Sequence, residues 1–433
     1  MSRRQKHNEL SHYVQIDDAL CNGCVLCMKA CPAKAIRVRA GKARIEGICI
    51  DCGECIRVCP RGAIKAFTTG HDTAVIKRYP ILTVSPVLYA QFGEDVRPND
   101  VLLALRKGFK YVYDQAHINE LFNVATELYI NEKRGKEGGI WPLISPTCPV
   151  VNRLIAYRFP SLLDNLIPIV TPREIAAREL KRRLYCESVF KTEEFGIYHV
   201  TPCSAKMISI NEPMFLENSY LDGALGINEV YEVVKKYIGK VDKTTMLHRS
   251  SGVGIGWGMS GGEIAGLGTG NYLAVSGIQE IFRYLEKIEM GLLKDIEYVE
   301  FRACSEGCLG GPMTAADKYQ AKHTLQKLVR MFGVEKRIQY AQTKKAYEEG
   351  WFFCDRKRVP PERLKPRQSI SEAIRRQEQV EKIFRLLPEK ECGVCGSPNC
   401  RTFAEDVVDG RASLDMCLFH AEHGGRVEIG DEG

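Results

Sequence analysis

Eighteen cysteines in 433 residues are the first sign of chemistry in this sequence. Eight of them form an internal repeat, in which a C-x2-C-x2-C run is followed, after three intervening residues, by a fourth cysteine and then by proline. Thiolates at such spacing are ligands of metal centres, because one tight turn can present three of them together. The repeat consists of Cys21, Cys24, Cys27 and Cys31 in its first half and of Cys49, Cys52, Cys55 and Cys59 in its second.

The repeat resembles the paired cluster motifs of bacterial two-cluster ferredoxins, in which the fourth cysteine of each half binds the cluster of the other half. On this resemblance Cys21, Cys24, Cys27 and Cys59 hold one 4Fe–4S cluster, and Cys49, Cys52, Cys55 and Cys31 hold a second. Zinc and disulfides are the alternatives, but zinc sites rarely use two such runs, each followed by proline.

A second group of four cysteines lies near the C-terminus, in ECGVCGSPNC and DMCLF: Cys392, Cys395, Cys400 and Cys417. The segment between the last two, RTFAEDVVDGRA, has a helical pattern. The group resembles a small cluster domain of redox proteins, which implies a third accessory 4Fe–4S cluster. A four-cysteine zinc site remains the alternative.

The third group is spread along the chain, so only a folded domain can bring its members together. Cys148 lies in SPTCPV, Cys203 in TPCSAK, and Cys304 and Cys308 in EFRACSEGC. In this order the three segments resemble the signature loops of the FeFe hydrogenases. TVSPV near Ser85 and the glycine-rich GVGIGWGMSGG extend the resemblance over roughly residues 80 to 350.

The resemblance implies an H-cluster, which is a 4Fe–4S cubane joined to a diiron subsite with CO, CN⁻ and azadithiolate ligands. Cys148, Cys203, Cys304 and Cys308 would bind the cubane, with Cys308 bridging to the diiron subsite. Lys206 would donate a hydrogen bond to a cyanide ligand. Glu300 would balance local positive charge or pair with Lys206, unless it is an ordinary structural carboxylate.

Several positions depart from the usual family pattern. Thr147 replaces the cysteine that relays protons, and threonine does not titrate near neutral pH. Arg302 replaces a methionine near the third loop, and Ser85 replaces an alanine near the diiron subsite, where its hydroxyl can reach the bridgehead amine. With the C-terminal cysteines, these changes resemble the sensory (HydS-type, group D-like) branch, in its group without a PAS domain.

Without the usual thiol, either another group carries protons or turnover is slow. Glu263 follows the glycine-rich segment at a position where the family usually has an aliphatic residue, and we expect it to reach the site through a water or Ser85. Carboxylates in apolar surroundings suit proton exchange near neutral pH. The alternative is a glutamate that only stabilises the start of a helix.

Secondary-structure patterns predict an α+β chain. Strands are predicted at ILTVSPV, GIYHVTPC and EYVEFRAC, and helices at PREIAARELKRRL and IQEIFRYLEKI, an alternation typical of α/β folds. The predicted segments are a two-cluster ferredoxin module (1–78), a two-lobed α/β H-cluster domain of FeFe-hydrogenase type (79–355), a basic, proline-rich linker (356–368) and a small C-terminal 4Fe–4S domain (369–433).

The expected function is that of a ferredoxin-type FeFe hydrogenase that interconverts H2 with protons and electrons, slowly, in a hydrogen-sensing or regulatory role. The expected partners are a redox or signalling protein and the hydrogenase maturation factors. The alternative is a non-catalytic iron–sulfur protein, either a hydrogenase-like cluster assembly factor or a redox relay.

Composition narrows the class of protein further. Hydrophobic content of 45% and charged content of 27% are typical of globular proteins, and a net charge of +7 over this length makes no case for nucleic acid. No apolar run is long enough to span a membrane, and the N-terminal MSRRQKHNELSHYVQ has no apolar signal core. We therefore expect a cytoplasmic protein with no membrane span.

Overall fold

The computed structural model describes residues 12–420 apart from residues 78, 135, 137, 187–193, 243 and 356–368. The chain divides into two compact units that do not follow chain order. Of the described residues, 14–49, 54–65 and 369–420 form the small unit. The large unit comprises residues 12–13, 50–53 and 66–355.

The small unit contains two short two-stranded sheets, in which β1 (Val14–Ile16) pairs with β4 (Ile64–Ala66), and β2 (Ile36–Arg39) pairs in antiparallel fashion with β3 (Lys42–Ile45). Its core contains cysteines of the repeat together with Met28, Ile36 and Ile64. Its helices are Leu26–Ala30, Glu54–Arg57, Ile370–Arg385 and Cys400–Val408, with a 3-10 turn at Leu414–Met416.

The large unit contains two parallel sheets. The first has four strands in the order β6-β5-β8-β9, with β5 at Tyr79–Val84, β6 at Tyr111–Asp114, β8 at Phe195–Thr201 and β9 at Gly223–Gly226. All seven residues of β8 are buried, as expected for a central strand of a parallel sheet that is covered on both faces.

The second sheet has three parallel strands in the order β10-β11-β7, with β7 at Leu143–Ile144, β10 at Tyr272–Ser276 and β11 at Tyr298–Arg302. The predicted strands at ILTVSPV, GIYHVTPC and EYVEFRAC are confirmed as β5, β8 and β11. The predicted helices at PREIAARELKRRL and IQEIFRYLEKI are confirmed as Pro172–Cys186 and Ile278–Glu289.

Helices connect these strands and supply much of the buried apolar surface. The longest is Ala116–Arg134, which buries Ile118, Phe122 and Ile130. The other helices of the large unit are His71–Ala74, Pro98–Leu105, Pro149–Arg158, Ala205–Asn211, Ile227–Tyr237, Gly252–Gly256, Lys318–Phe332 and Tyr340–Glu348. Its 3-10 turns are Pro86–Gln91, Pro160–Asn165, Ile264–Gly266 and Gly307–Gly310.

The compact units differ from the segments predicted from the sequence. The ferredoxin-like repeat and the C-terminal cysteine segment, predicted as separate domains, share the small unit, whereas residues 50–53 of the repeat belong to the large unit. The predicted linker 356–368 lies outside the described residues. Within the described residues, no helix is both long and apolar enough to cross a membrane.

Candidate active site

The four dispersed cysteines of the large unit meet around one cavity. Cys148 follows β7, Cys203 follows β8 and Cys304 follows β11, so each lies just beyond the carboxyl end of a parallel strand. Sites in α/β folds form at these ends. Cys308 lies in the 3-10 turn Gly307–Gly310, and all four cysteines line a cavity of about 420 Å³.

The sulfur of Cys148 shows how closely the thiols are grouped. Burial raises the pKa of the Cys148 thiol, and the neighbouring Cys308 and Cys203 raise it further, while backbone N–H groups of Ala303 and Val151 lower it. Such a group of thiolates is stable only beside a compensating positive charge, which a metal cluster supplies. The donor set therefore fits an iron–sulfur cubane.

A second cavity adjoins the first, and the two share Thr147, Lys206, Arg302 and Cys308. Its other lining residues come largely from strand ends and from the loops that follow them. They are Ser85, Pro86, Val87, Gln115, Pro172, Arg173, His199, Trp257 and Gly258. The structure thus brings the predicted Ser85, Thr147 and Lys206 to one place.

Two buried cations, Lys206 and Arg173, give the second cavity a positive wall, whereas the third, Arg302, is paired with carboxylates that do not line it. None of the described residues that line this cavity is acidic. The Lys206 ammonium nitrogen lies 3.8 Å from Cys203 Sγ. Arg173 donates to the Thr147 carbonyl at 3.2 Å and to Ser209 Oγ at 3.0 Å. An anionic group fits such a wall, because buried cations need compensating charge.

Besides Arg173 Nε, polar atoms of two uncharged side chains at this wall have no partner. His199 Nε2 and Gln115 Oε1 are buried and make no hydrogen bond. Burial lowers the pKa of His199 well below its usual range, and Lys206 and Arg173 lower it further, so the ring is neutral near pH 7. Buried polar atoms normally have partners, so these two atoms point to a bound polar group.

Arg302 organises a buried charge network next to the cavities. Its guanidinium donates to Thr147 Oγ1 at 2.5 Å, to the Glu263 carboxylate at 2.8 Å and to Glu300 at 3.1 Å. It also lies 4.5 Å from the centre of the Trp257 ring. One buried cation thus faces two buried carboxylates, and the pair Glu263–Arg302 is a direct ion pair.

Glu263 is fully buried, and four side chains hold its carboxylate. Besides Arg302, the hydroxyls of Thr147, Ser145 and Tyr298 donate to it at 3.1, 3.0 and 2.5 Å. Glu263 therefore contacts Thr147, and not Ser85 as expected. Glu263 directly precedes the 3-10 turn Ile264–Gly266, as the helix-start alternative expected, but its side chain makes no capping hydrogen bond there, so that alternative stays a prediction.

The expected pairing of Glu300 with Lys206 is also wrong. Glu300 lies at the centre of β11, where it accepts from Arg302 and from the backbone N–H groups of Gly261, Glu263 and Ile264. Glu300 instead balances the positive charge of Arg302, which agrees with the expectation that it balances local positive charge. Burial raises the pKa of Glu300 to about 7, with a further contribution from Glu263, although Arg302 opposes it.

In the small unit, the first predicted ligand set is grouped. Cys21, Cys24, Cys27 and Cys59 line one pocket. Burial and the nearby thiols of Cys24, Cys21 and Cys59 together raise the pKa of Cys27 to about 11. As at the central cavity, this arrangement suits a cluster that stabilises thiolates together.

The second predicted ligand set divides between the units. Cys31, Cys49 and Cys55 belong to the small unit, whereas Cys52 lies in the segment 50–53 of the large unit. There Asp51 and Cys52 line the cavity of the four dispersed cysteines. One cysteine of the ferredoxin-like repeat is thus a neighbour of the central cysteines.

The C-terminal cysteines are also grouped. Cys392, Cys395, Cys400 and Cys417 line one pocket, and burial together with the other three thiols raises the pKa of Cys395. Cys400 is the first residue of the helix Cys400–Val408, as the pattern of RTFAEDVVDGRA indicated. Within the described residues, no group of three or more His, Cys, Asp or Glu side chains is arranged to hold a single metal ion.

Sequence reasoning missed several residues of the second cavity. Gln115 directly follows β6, so the rule that sites in α/β folds form at the carboxyl ends of parallel strands could have found it. Arg173 and His199 gave no such signal, because their approach to the cavity depends on how helix Pro172–Cys186 and strand β8 pack. Arg302 was noted only as a departure, and its part in binding Thr147 and Glu263 was not foreseen.

Comparison with known proteins agrees with this geometry. Residues 78–269 match the family model "Iron only hydrogenase large subunit, C-terminal domain". This region resembles a domain of the iron-only hydrogenase type. It includes Cys148, Cys203 and Lys206, whereas Cys304 and Cys308 lie beyond the match. Residues 20–64 match "4Fe-4S dicluster domain", and residues 387–419 match "Putative Fe-S cluster".

Two solved FeFe hydrogenases share the fold of this hydrogenase-type region. An alanine variant of HydA1 from Chlamydomonas reinhardtii aligns with a TM-score of 0.50 and 14% identity over 63% of this chain and 89% of that chain. A second FeFe hydrogenase structure, which concerns inactivation by oxygen, aligns with a TM-score of 0.50 and 13% identity. The alignment covers 66% of this chain and 94% of that chain. At this identity the likeness shows the fold alone.

The curated relatives match this chain over short segments. The corrinoid/iron-sulfur protein large subunit of Moorella thermoacetica is 50% identical over 37 residues, which is 8% of this chain and 8% of that protein. A component of the ion-translocating oxidoreductase complex of Thiobacillus denitrificans is 43% identical over 45 residues, which is 10% of this chain and 24% of that protein. The chain spans at most about a quarter of these relatives.

Proposed function

We propose that this protein is an FeFe hydrogenase that interconverts H2 with two protons and two electrons. The observation that carries the proposal is the pair of adjoining cavities, one lined by four cysteines and the other by the buried cations Lys206 and Arg173, with no acidic residue among the described lining residues. A thiolate-bound cubane suits the first cavity, and an anionic diiron group suits the second.

Cys148, Cys203, Cys304 and Cys308 would hold the cubane of the H-cluster, with Cys308, which lines both cavities, bridging to the diiron subsite. When bound, the diiron group with its CO, CN⁻ and azadithiolate ligands supplies the metal chemistry that splits and forms H2. Hydrogenase maturation factors would supply this group.

The chain's own residues would bind and orient that group. The Lys206 ammonium would donate to a cyanide ligand, and the neutral His199 ring, whose Nε2 has no partner, would offer a further polar contact. Ser85 lines the same cavity, where its hydroxyl would meet a bridgehead amine. Val87 and Trp257 contribute apolar surface to the wall, which limits the entry of water and strengthens the charge interactions inside.

Proton handling falls to Thr147 and Glu263. The Thr147 hydroxyl lies at the cavity wall and donates to the Glu263 carboxylate. A hydroxyl accepts one proton while it passes on another, so it connects the cavity with the carboxylate although it does not titrate itself. Because the usual thiol is absent, we expect slow turnover, which suits a hydrogen-sensing or regulatory role.

Electrons would move through the three accessory 4Fe–4S clusters to a redox or signalling protein partner. Cys52 lines the central cavity and belongs to one accessory ligand set. The alternative function, a non-catalytic cluster assembly factor or redox relay, has one observation in its favour, which is the threonine at position 147 in place of a titrating thiol.

Isotope exchange tests the activity directly. Protein loaded with a synthetic diiron cofactor and supplied with D2 in H2O should release HD and H2, because reversible cleavage exchanges deuterons with solvent. Cys308→Ser, which removes the bridging thiolate, should abolish the exchange. Loaded parent protein that releases no HD above the Cys308→Ser background would contradict hydrogenase activity and favour the non-catalytic alternative.

A further inference from the structure

The C-terminal cysteine segment packs directly on the ferredoxin-like repeat within the small unit. Lys29, which lies between Cys27 and Cys31, donates through its ammonium to the backbone carbonyls of Glu391 and Pro398. Glu391 directly precedes Cys392, and Pro398 lies two residues before Cys400. The two cysteine groups are therefore joined by contacts at residues close to their own ligands.

A backbone hydrogen bond joins the two cysteine segments at Val38 and Gly396. The Val38 N–H donates to the Gly396 carbonyl at 2.9 Å, and Val38 also lines the pocket of Cys21, Cys24, Cys27 and Cys59. Gly396 directly follows Cys395. A continuous path of covalent bonds and one hydrogen bond therefore leads from Cys395 to a wall of the neighbouring cysteine pocket.

Only glycine fits at position 396. Its φ is +81°, and a Cβ placed there would lie 1.9 Å from the Val38 carbonyl oxygen, which is a backbone atom and unable to move aside alone. Gly410 provides a natural comparison in the same C-terminal segment. It has a φ of +70°, but a Cβ placed there would meet nothing within 4 Å.

A buried ion network holds the two segments together. Arg37 donates to both carboxylate oxygens of Asp406 at 2.5 and 2.9 Å, and both side chains are buried. Arg39 donates to the same carboxylate at 3.1 Å and to the Cys395 carbonyl at 2.7 Å. Separating the segments would leave buried charges unpaired, which is costly, so the contact is a fixed one.

We infer that the C-terminal cluster exchanges electrons directly with the cluster of Cys21, Cys24, Cys27 and Cys59 across the Val38–Gly396 contact. The inference rests on the proposed function, since it requires iron–sulfur clusters at both cysteine groups. The step moves one electron, so the donor cubane goes from its reduced to its oxidised state and the acceptor from oxidised to reduced.

Electron paramagnetic resonance of the full chain, reduced with dithionite, tests the inference. Two reduced cubanes that are close enough to exchange electrons interact magnetically, so the parent should give a broadened signal. In Gly396→Ala the Cβ forces the segments apart, and the broadening from the C-terminal cluster should be lost. Gly410→Ala carries the same backbone strain without the clash and should keep the parent spectrum.

Iron content separates failure of the inference from failure of the proposed function. If the parent holds zinc or no metal at Cys392, Cys395, Cys400 and Cys417, the cluster assignment itself fails. If Gly396→Ala retains all its iron and still gives the broadened parent signal, the direct exchange is refuted. If Gly396→Ala loses its C-terminal iron, Cys24→Ala tests the inference instead. Removal of the partner cluster in Cys24→Ala should sharpen the signal of the C-terminal cluster, and an unchanged signal would overturn the inference.

Discussion

The Thr147 hydroxyl donates to the Glu263 carboxylate at 3.1 Å, and Thr147 directly precedes Cys148. This contact joins two residues that are more than a hundred positions apart in the sequence. It connects a buried carboxylate with the wall of the candidate active site through a single hydroxyl. Arg302 binds both residues and fixes their relative orientation.

Replacing Glu263 should slow hydrogen turnover sharply. Glu263→Gln keeps the shape of the side chain but removes the carboxylate that exchanges protons with Thr147. Proton transfer by a positioned side chain typically contributes about 100-fold or more to rate. We therefore expect a loss of about that size in H2 oxidation by an artificial dye, with the CO and CN⁻ infrared bands of the loaded protein unchanged.

Glu300→Gln is the matched control for this substitution. Glu300 is equally buried and also pairs with Arg302, but it makes no hydrogen bond to Thr147. Its replacement should leave turnover much closer to that of the parent. Equal losses in the two variants would mean that charge balance around Arg302, and not proton transfer, explains the effect.

Substitutions of Thr147 test the other half of the relay. Thr147→Ser keeps the hydroxyl and should preserve turnover, whereas the near-isosteric Thr147→Val removes it and should resemble Glu263→Gln. Thr147→Cys introduces a thiol with an ordinary pKa of about 8.5, so it should raise turnover and partly rescue Glu263→Gln. A Thr147→Val variant that turns over like the parent would rule out the hydroxyl as a relay.

Glu300 should titrate near neutral pH. Burial raises its pKa from an ordinary 4.5 to about 7, so between these values the folded protein holds a proton that the unfolded chain has lost. Its contribution to stability therefore falls as pH rises through this window, at most by about 1.4 kcal/mol per pH unit. Infrared difference spectra should show a protonated carboxyl band that disappears with a midpoint near pH 7 and is absent from Glu300→Gln. A midpoint near 4.5 would contradict the assignment.

Metal analysis should find four cubanes, or about sixteen irons, in anaerobically reconstituted protein before the diiron group is added. Cys400→Ala should remove up to about four irons by disrupting the C-terminal cubane. Cys354→Ala replaces a half-buried cysteine outside all the ligand sets and should leave the iron content unchanged. Zinc in place of iron at the C-terminal site would contradict the fourth cubane.

Local patterns were enough to predict the strands β5, β8 and β11, whereas the grouping of the dispersed cysteines at their ends followed from the resemblance to the FeFe hydrogenases. A run of buried apolar residues such as β8 is recognisable without tertiary information, and parallel strands present their carboxyl ends at a common edge. The four C-terminal cysteines were equally accessible, because short spacing alone brings them near one another.

The hydrogen-bond partners of buried charged side chains could not be predicted from local sequence patterns. Whether Glu263 would contact Ser85 or Thr147 depends on which side of the glycine-rich segment packs against β11, and that is a property of the tertiary fold. Arg302 decided the outcome, since a buried guanidinium attracts nearby carboxylates more strongly than a hydroxyl does. The packing of the C-terminal segment on the ferredoxin-like repeat likewise depends on the distant pair Arg37 and Asp406.

Infrared spectroscopy after loading with a synthetic diiron cofactor tests the central claim most directly, because CO and CN⁻ ligands absorb where protein does not. The account predicts sharp CO and CN⁻ bands in the parent, retained in Glu263→Gln and lost in Cys308→Ser. Absence of these bands from parent protein that has its full complement of cubane iron would contradict the assignment of the two adjoining cavities as an H-cluster site.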